Sequence, residues 1–304
     1  MAGEWEGKSR GGGTGYRIFI YVIRHLGVRA AYALMSLVVI YFIPFSPKGT
    51  AAVWRYSRRI LGYGLLRSAC FVYRNYYSFG QNLVDRVAIS GGLQGRYRFK
   101  FENEDSLRAF LDKKEGCVIM GAHVGSWEAG APFFMEYGRE LNIVMYDNEH
   151  EAIKKVRKSN ERLFPGFKVI PVNKDSLGHV FLITEALERG EAVCFQGDRY
   201  VNEDRLLGGV LLGHEASFPL GPYLLAAKLG APVVFYFAMR EAPMTYRFIF
   251  RQAAPVFGRS APEKLLSQFT SLLDEILRRH PEQWFNFYDF WNLKQQGREI
   301  ERKA

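Results

Sequence analysis

The sequence predicts an α/β fold: a central mixed, mostly parallel sheet flanked by helices, preceded by a membrane-associating helical segment. Three observations lead there. From about residue 84 onward, short apolar runs rich in β-branched and aromatic residues alternate with longer amphipathic stretches. Residues 1–74 carry eleven Lys and Arg against two Glu, which is +9 of the chain's net +10. That basic excess surrounds a charge-free apolar run of sixteen residues, 30–45. A nucleic-acid binder spreads its basic residues over a folded face. Clustering around an apolar segment instead suits an anionic membrane surface, so no nucleic-acid partner is expected.

Residues 1–15 are polar and glycine-rich and read as a flexible lead-in. No small-residue cleavage site follows the apolar run, so no signal peptide is expected. Run 30–45 would make a helix of about 24 Å, short of the roughly 20 residues a span needs. Arginines lie on both sides of it, so charge gives no orientation. A helix embedded in the cytosolic face of the cytoplasmic membrane is the favoured reading, with a single N-terminal span or a buried core helix as alternatives. Pro44 and Pro47 are expected to end it. Residues 51–80 read as a second, basic amphipathic helix, in which Arg55, Arg58, Arg59, Arg67 and Arg74 alternate with Val53, Ile60, Leu65, Leu66 and Phe71. The expected division is therefore 1–80, membrane-associating, and 81–304, the α/β domain.

Within that domain, "RYRFKFE" reads as a strand and "NEDSLRAFLDKK" as a helix capped by Asn103. "GCVIMGA" is a strand, "GSWEAGAPFFMEYG" a helix, "LNIVMYD" a strand and "HEAIKKVRKSNERLF" a basic helix. "KVIPVN" is a strand, "DSLGHVFLITEALERG" a helix ending at Gly190, and "EAVCFQGD" a strand. A glycine-rich loop follows. Then come the helix "FPLGPYLLAAKLG", the strands "APVVFYFAMR" and "YRFIFRQ", and the long helix "APEKLLSQFTSLLDEILRRH". The tail from residue 292 is expected to be solvated. Cys70, Cys117 and Cys194 show neither disulfide nor metal spacing, and the latter two sit in apolar runs. His150, His179 and His214 share no spacing, so no metal site is expected.

The chemistry concentrates in "GAHVGSWEAG", residues 121–130. His123 and Glu128 are five apart, about 140° around a helix, so an uninterrupted helix would not bring them together. Ligands of such sheets bind beyond the carboxyl ends of strands, which is where His123 falls. A turn after the strand would let Glu128 swing back to the imidazole, fix its tautomer and leave the other nitrogen as a base. Gly121, Gly125 and Ser126 would keep that turn open to a substrate. By spacing alone, an equal reading is that His123 caps a helix and Glu128 is a first-turn acid.

"HVGSWE" resembles the His-x4-acid motif of the lysophospholipid acyltransferase-like superfamily, in particular its late lipid A acyltransferase branch. "RGEAVCFQGDRY", "LLGHEASFPLGPYLLAAKLGAPVVFYF" and "HPEQWFNFYDFW" resemble later blocks of that branch in the same order. The likeness covers most of residues 16–292. "RGGGTGYRIF" and "SFGQNLVDR" are similar to the standalone members linked to aryl polyene or flexirubin-type pigments. Two departures are "GDRY" in place of "DxDYG" and glycine at position 125.

The resemblance implies a glycerolipid acyltransferase-like fold and acyl transfer from a thioester to a hydroxyl or amine. The donor would be acyl carrier protein or acyl-coenzyme A, the acceptor a membrane lipid or pigment, with no cofactor. His123 would be the base and Glu128 its orienting acid. Backbone N–H groups near Gly125, or Arg199, would hold the oxyanion. Asp198 would orient Arg199 or contact the acceptor, or merely close a strand-end turn. Phe218 and Pro219 would shape the third block's turn, more through structure than through contact with substrate. The basic helix with Lys154, Lys155, Arg157, Lys158 and Arg162 is a solvated face or a dock for an acidic carrier or lipid phosphate. The alternatives are a lipid A-type late acyltransferase proper, a thioester or lipid hydrolase using the same His–acid pair, and a non-catalytic lipid-binding protein.

Overall fold

The computed structural model describes residues 13–130, 140–146, 167–172, 177–200 and 206–291. The expected basic helix after residue 149 and the tail from 292 lie outside them.

Seven strands form one sheet in the order β1-β9-β8-β2-β5-β3-β4. These are β1 (Arg98–Glu102), β2 (Cys117–Gly121), β3 (Leu141–Tyr146), β4 (Phe167–Val172), β5 (Ala192–Gln196), β8 (Val233–Ala242) and β9 (Thr245–Gln252). Every neighbouring pair is parallel except β8 with β9. The mixed, mostly parallel sheet is as the alternation of apolar runs predicts. Central β2, "CVIMG", is buried at all five positions, which is why it carries no polar alternation.

Among the described residues, five α-helices precede β2. They are α1 (Gly13–His25), α2 (Val28–Phe45), α3 (Pro47–Arg55), α4 (Leu65–Ala88) and α5 (Glu104–Asp112). Three more follow: α6 (Gly178–Glu188), α7 (Leu220–Leu229) and α8 (Ala261–Arg279). In α8, Leu265, Phe269, Leu272, Leu273 and Ile276 recur at helical spacing and are all buried. One contiguous hydrophobic core runs from Ile23 to Trp291 and includes residues of the N-terminal helices.

Three elements depart from the sequence reading. Residues 51–80 are not one helix. α3 ends at Arg55, a five-residue π-helical turn covers Tyr56–Ile60, and α4 starts afresh at Leu65 after Gly62 (φ +68°) and Gly64. As expected, α2 ends at Phe45, between Pro44 and Pro47, and Pro47 opens α3. The glycine-rich loop contains a hairpin, β6 (Leu206–Leu211) and β7 (His214–Pro219), turned by Leu212 (φ +52°) and Gly213 (φ +79°). Asn103 precedes α5 in a left-handed conformation and gives no side-chain cap.

Helix α4 sets up the site. Asn75, Ser78, Asn82 and Asp85 lie three to four residues apart, on one helix face, and all are buried. Each has a fixed partner. Asn75 Nδ2 donates to the carbonyls of Glu282 (3.1 Å) and Trp284 (2.8 Å). Ser78 Oγ receives Arg240 (2.7 Å), and Asn82 Nδ2 donates to the Gly125 carbonyl (2.8 Å). Asp85 accepts the hydroxyls of Tyr32, Tyr97 and Tyr246. Burial alone raises the Asp85 pKa, and the three phenols and Arg240 oppose that rise without cancelling it. The polar stripe thus ties α2, the β1 edge and the C-terminal segment to one helix.

Candidate active site

Strands β2 and β5 are parallel neighbours, and Gly121 pairs with Gln196. Two residues past that pair stand His123 and Asp198. Register therefore carries them to the same point beyond the sheet's carboxyl edge. His123 Nδ1 meets Asp198 Oδ1 at 2.8 Å, and the His123 backbone N–H donates to Oδ2 at 3.0 Å. Trp284 Nε1–H donates to the same Oδ2 at 3.3 Å, and the Tyr288 hydroxyl to the Asp198 carbonyl at 3.2 Å. Asp198 is fully buried, whereas the imidazole is a quarter exposed. Burial pushes the Asp198 pKa up, but His123, its hydrogen bonds and Arg199 outweigh that and hold it below the ordinary carboxylate value. A carboxylate bonded to Nδ1 favours the tautomer that leaves Nε2 without a proton, an arrangement able to serve as a base.

The hydrogen bond expected from Glu128 is thus made by Asp198. Glu128 lies in a short 3₁₀ turn, Trp127–Gly130, and its Oε1 pairs with Arg86 of α4 at 3.0 Å. As the spacing demanded, no continuous helix joins residues 123 and 128. The helix expected to continue past this turn lies, from residue 131, outside the described residues.

The backbone between them is held by the protein itself. Gly125 (φ +65°) makes a bridge to Ala238, and an added Cβ would lie 2.1 Å from the Ala238 carbonyl oxygen. The Gly125 N–H donates to Gln283 O (2.9 Å) and the Ser126 N–H to Ala238 O (2.8 Å). Those two N–H groups, expected as oxyanion donors, are spent on structure. The glycine admits the protein's own β8 backbone rather than a substrate. Ser126 is buried, with its hydroxyl unpartnered.

Arg199 donates to the Phe285 carbonyl at 2.7 Å, beside Asp198. Phe218 is fully buried against Phe290 (centroids 5.5 Å apart), and Pro219 is buried at the start of α7. Both are packing residues of the hairpin and present no open face. Trp284, Tyr288, Arg86 and Asn82 escaped the sequence reading as site residues. The aromatic block 284–291 carried the signal for the first two, but rings in a row read equally well as core.

A family model, bacterial lipid A biosynthesis acyltransferase, matches residues 18–292. The chain belongs to that family. It is accordingly an acyltransferase that acts on lipids, and the His123–Asp198 pair sits inside the matched region. The pigment-linked branch is not distinguished by this match. No curated protein sequence matches the chain.

Proposed function

We propose that the protein moves a fatty acyl chain from a thioester, on acyl carrier protein or coenzyme A, to a hydroxyl or amine of a membrane lipid or pigment. His123 Nε2 takes the acceptor's proton as the acceptor attacks the thioester carbonyl, and the thiolate leaves. Asp198 holds the tautomer and stabilises the imidazolium that forms. Glu128, through its pair with Arg86, positions the segment that carries His123. The observation that carries this reading is the 2.8 Å bond from a fully buried carboxylate to Nδ1 of a part-exposed imidazole. Such a base is worth about 10²–10⁴-fold in rate. The tetrahedral oxyanion needs a donor. Arg199 supports that role by its charge and its place beside Asp198.

The apolar surface of the N-terminal helices supports work at a membrane. α2 has mean hydropathy 1.8 and is long and apolar enough to cross one, yet only 28% of it is buried. Ala31, Tyr32, Met35 and Val39 face inward, while Leu37, Ile40, Tyr41 and Phe45 are each more than half exposed. A core helix would hide both faces. We place the protein on the cytosolic side of the cytoplasmic membrane, embedded or spanning through α2.

The test is purified protein given acyl-coenzyme A or acyl carrier protein thioester, with and without lipid extract. Acceptor-dependent thiol release that vanishes in His123→Ala is expected. Full-rate release without acceptor would mean hydrolysis and would overturn the assignment.

A further inference from the structure

A cleft separate from the imidazole lies between the π-helical turn Tyr56–Ile60 and the C-terminal aromatic segment. Arg55, Tyr56, Arg59, Asn286, Tyr288 and Trp291 are among its lining residues. Trp284 and Tyr288 form its wall towards the site and reach Asp198 from there. Tyr56, Asn286 and Trp291 are each 7% exposed or less. The Tyr56 hydroxyl and the Trp291 Nε1–H have no hydrogen-bond partner. The Asn286 amide approaches Tyr288 but makes no bond of ordinary geometry. Buried polar atoms are nearly always satisfied, so three together point to something from outside.

Chemistry and size narrow what that is. An indole N–H can only donate, and the Tyr56 phenol stays protonated because burial pushes its pKa far up. The indole, the phenol and the Asn286 NH₂ thus call for a partner rich in acceptors, while the Asn286 Oδ1 calls for one donor, which a singly protonated phosphate oxygen supplies. Arg55 and exposed Arg59 bring positive charge, and Asp289, paired with Arg55 at 3.1 Å, offsets one of them. The cavity volume is about 30 Å³, where one water takes roughly 10–15 Å³. A compact tetrahedral group fits that space, and whatever it is attached to can lie outside the cleft's open mouth.

We propose that this cleft binds a phosphate group, either free or borne by a lipid headgroup. A lipid-borne phosphate would anchor an acceptor one side chain away from Asp198, an assignment that rests on the acyl-transfer reading above. The binding itself does not.

The full chain in neutral detergent micelles is titrated with inorganic phosphate by calorimetry, at constant ionic strength against chloride. Saturable binding is expected. Tyr56→Phe and Trp291→Phe, which each remove one donor and keep a ring, should each weaken it about tenfold. Thermal unfolding checks that both variants remain folded. Phosphate behaving like chloride, or binding untouched by both substitutions, overturns the proposal. Short-chain phosphatidic acid displacing phosphate would show a headgroup site. Binding of inorganic phosphate without such displacement would show a site for the free anion. Neither result depends on whether acyl transfer is observed.

Discussion

Asp198→Asn is close to isosteric but changes which way a proton points. In the native protein one carboxylate oxygen accepts the His123 backbone N–H at 3.0 Å and the Trp284 indole at 3.3 Å, while the other faces Nδ1 at 2.8 Å. Two donors converge on Oδ2, so the amide oxygen of an asparagine must take that place. Its NH₂ must then face Nδ1. Nδ1 becomes an acceptor, the ring proton moves to Nε2, and the base is lost. A wrong tautomer of this kind, in a His–Asp pair of hydrolytic enzymes, costs about 10⁴-fold in kcat. We expect about 10³–10⁴-fold here, roughly 4–5.5 kcal/mol of transition-state stabilisation, with KM little changed. Glu128→Gln serves as the internal control. It removes an ion pair whose partners are 32% and 20% exposed, a loss of about 0.2–1 kcal/mol, and should lower kcat by about tenfold or less. The assay is acceptor-dependent thiol release, with thermal unfolding to confirm that each variant is folded. If Asp198→Asn keeps a tenth of the activity while Glu128→Gln loses a thousandfold, the roles given to these two acids are the wrong way round.

Three further expectations follow from the same geometry. Gly125→Ala forces a Cβ to 2.1 Å from the Ala238 carbonyl at φ +65°; denaturant unfolding should show a loss of about 3 kcal/mol or more, and a wild-type midpoint would refute the close approach. Asp85→Ala deprives the Tyr32, Tyr97 and Tyr246 hydroxyls of their acceptor, at a cost of at least about 3 kcal/mol, and Asp85→Asn should recover part of it in the same unfolding assay. Glu191 is held down to about 2, first by its bonds from Arg189, then by Asn142 and Lys168. Its folded value lies below the ordinary 4.5, so its contribution is complete above that pH and is lost as pH falls towards 2. Glu191→Gln should therefore be about 1–3 kcal/mol less stable at neutral pH, and its difference from wild type should close on acidification; a difference constant down to pH 3 would exclude the ion pair as its source.

Most of the strand–helix order was legible because each apolar run carries its own period. β2, β5 and β8 are buried strands and read as near-continuous apolar segments. α8 was legible from its apolar stripe. Two kinds of feature were not. The β6–β7 hairpin is turned by Leu212 at positive φ, where leucine gives no turn signal. In α4, Asn75, Ser78, Asn82 and Asp85 form a polar stripe that faces inward, and a polar stripe on a helix ordinarily marks the solvent side. Only the groups opposite, among them three phenols and the backbone of Gly125, make burial tolerable.

The same division runs through the site. The place of His123 was legible, since an imidazole just past a buried strand stands where such sheets bind ligands, and the structure puts it two residues beyond β2. Its spacing to Glu128 already excluded a shared helix face. Which acid completes it was not written in that motif. His123 and Asp198 are 75 positions apart along the chain, and they meet because β2 and β5 pair in parallel with Gly121 opposite Gln196. Local sequence governs the period and the turn, each set by a few neighbouring side chains. Strand order and register are set by how the whole core packs, and here they decide which carboxylate reaches the histidine.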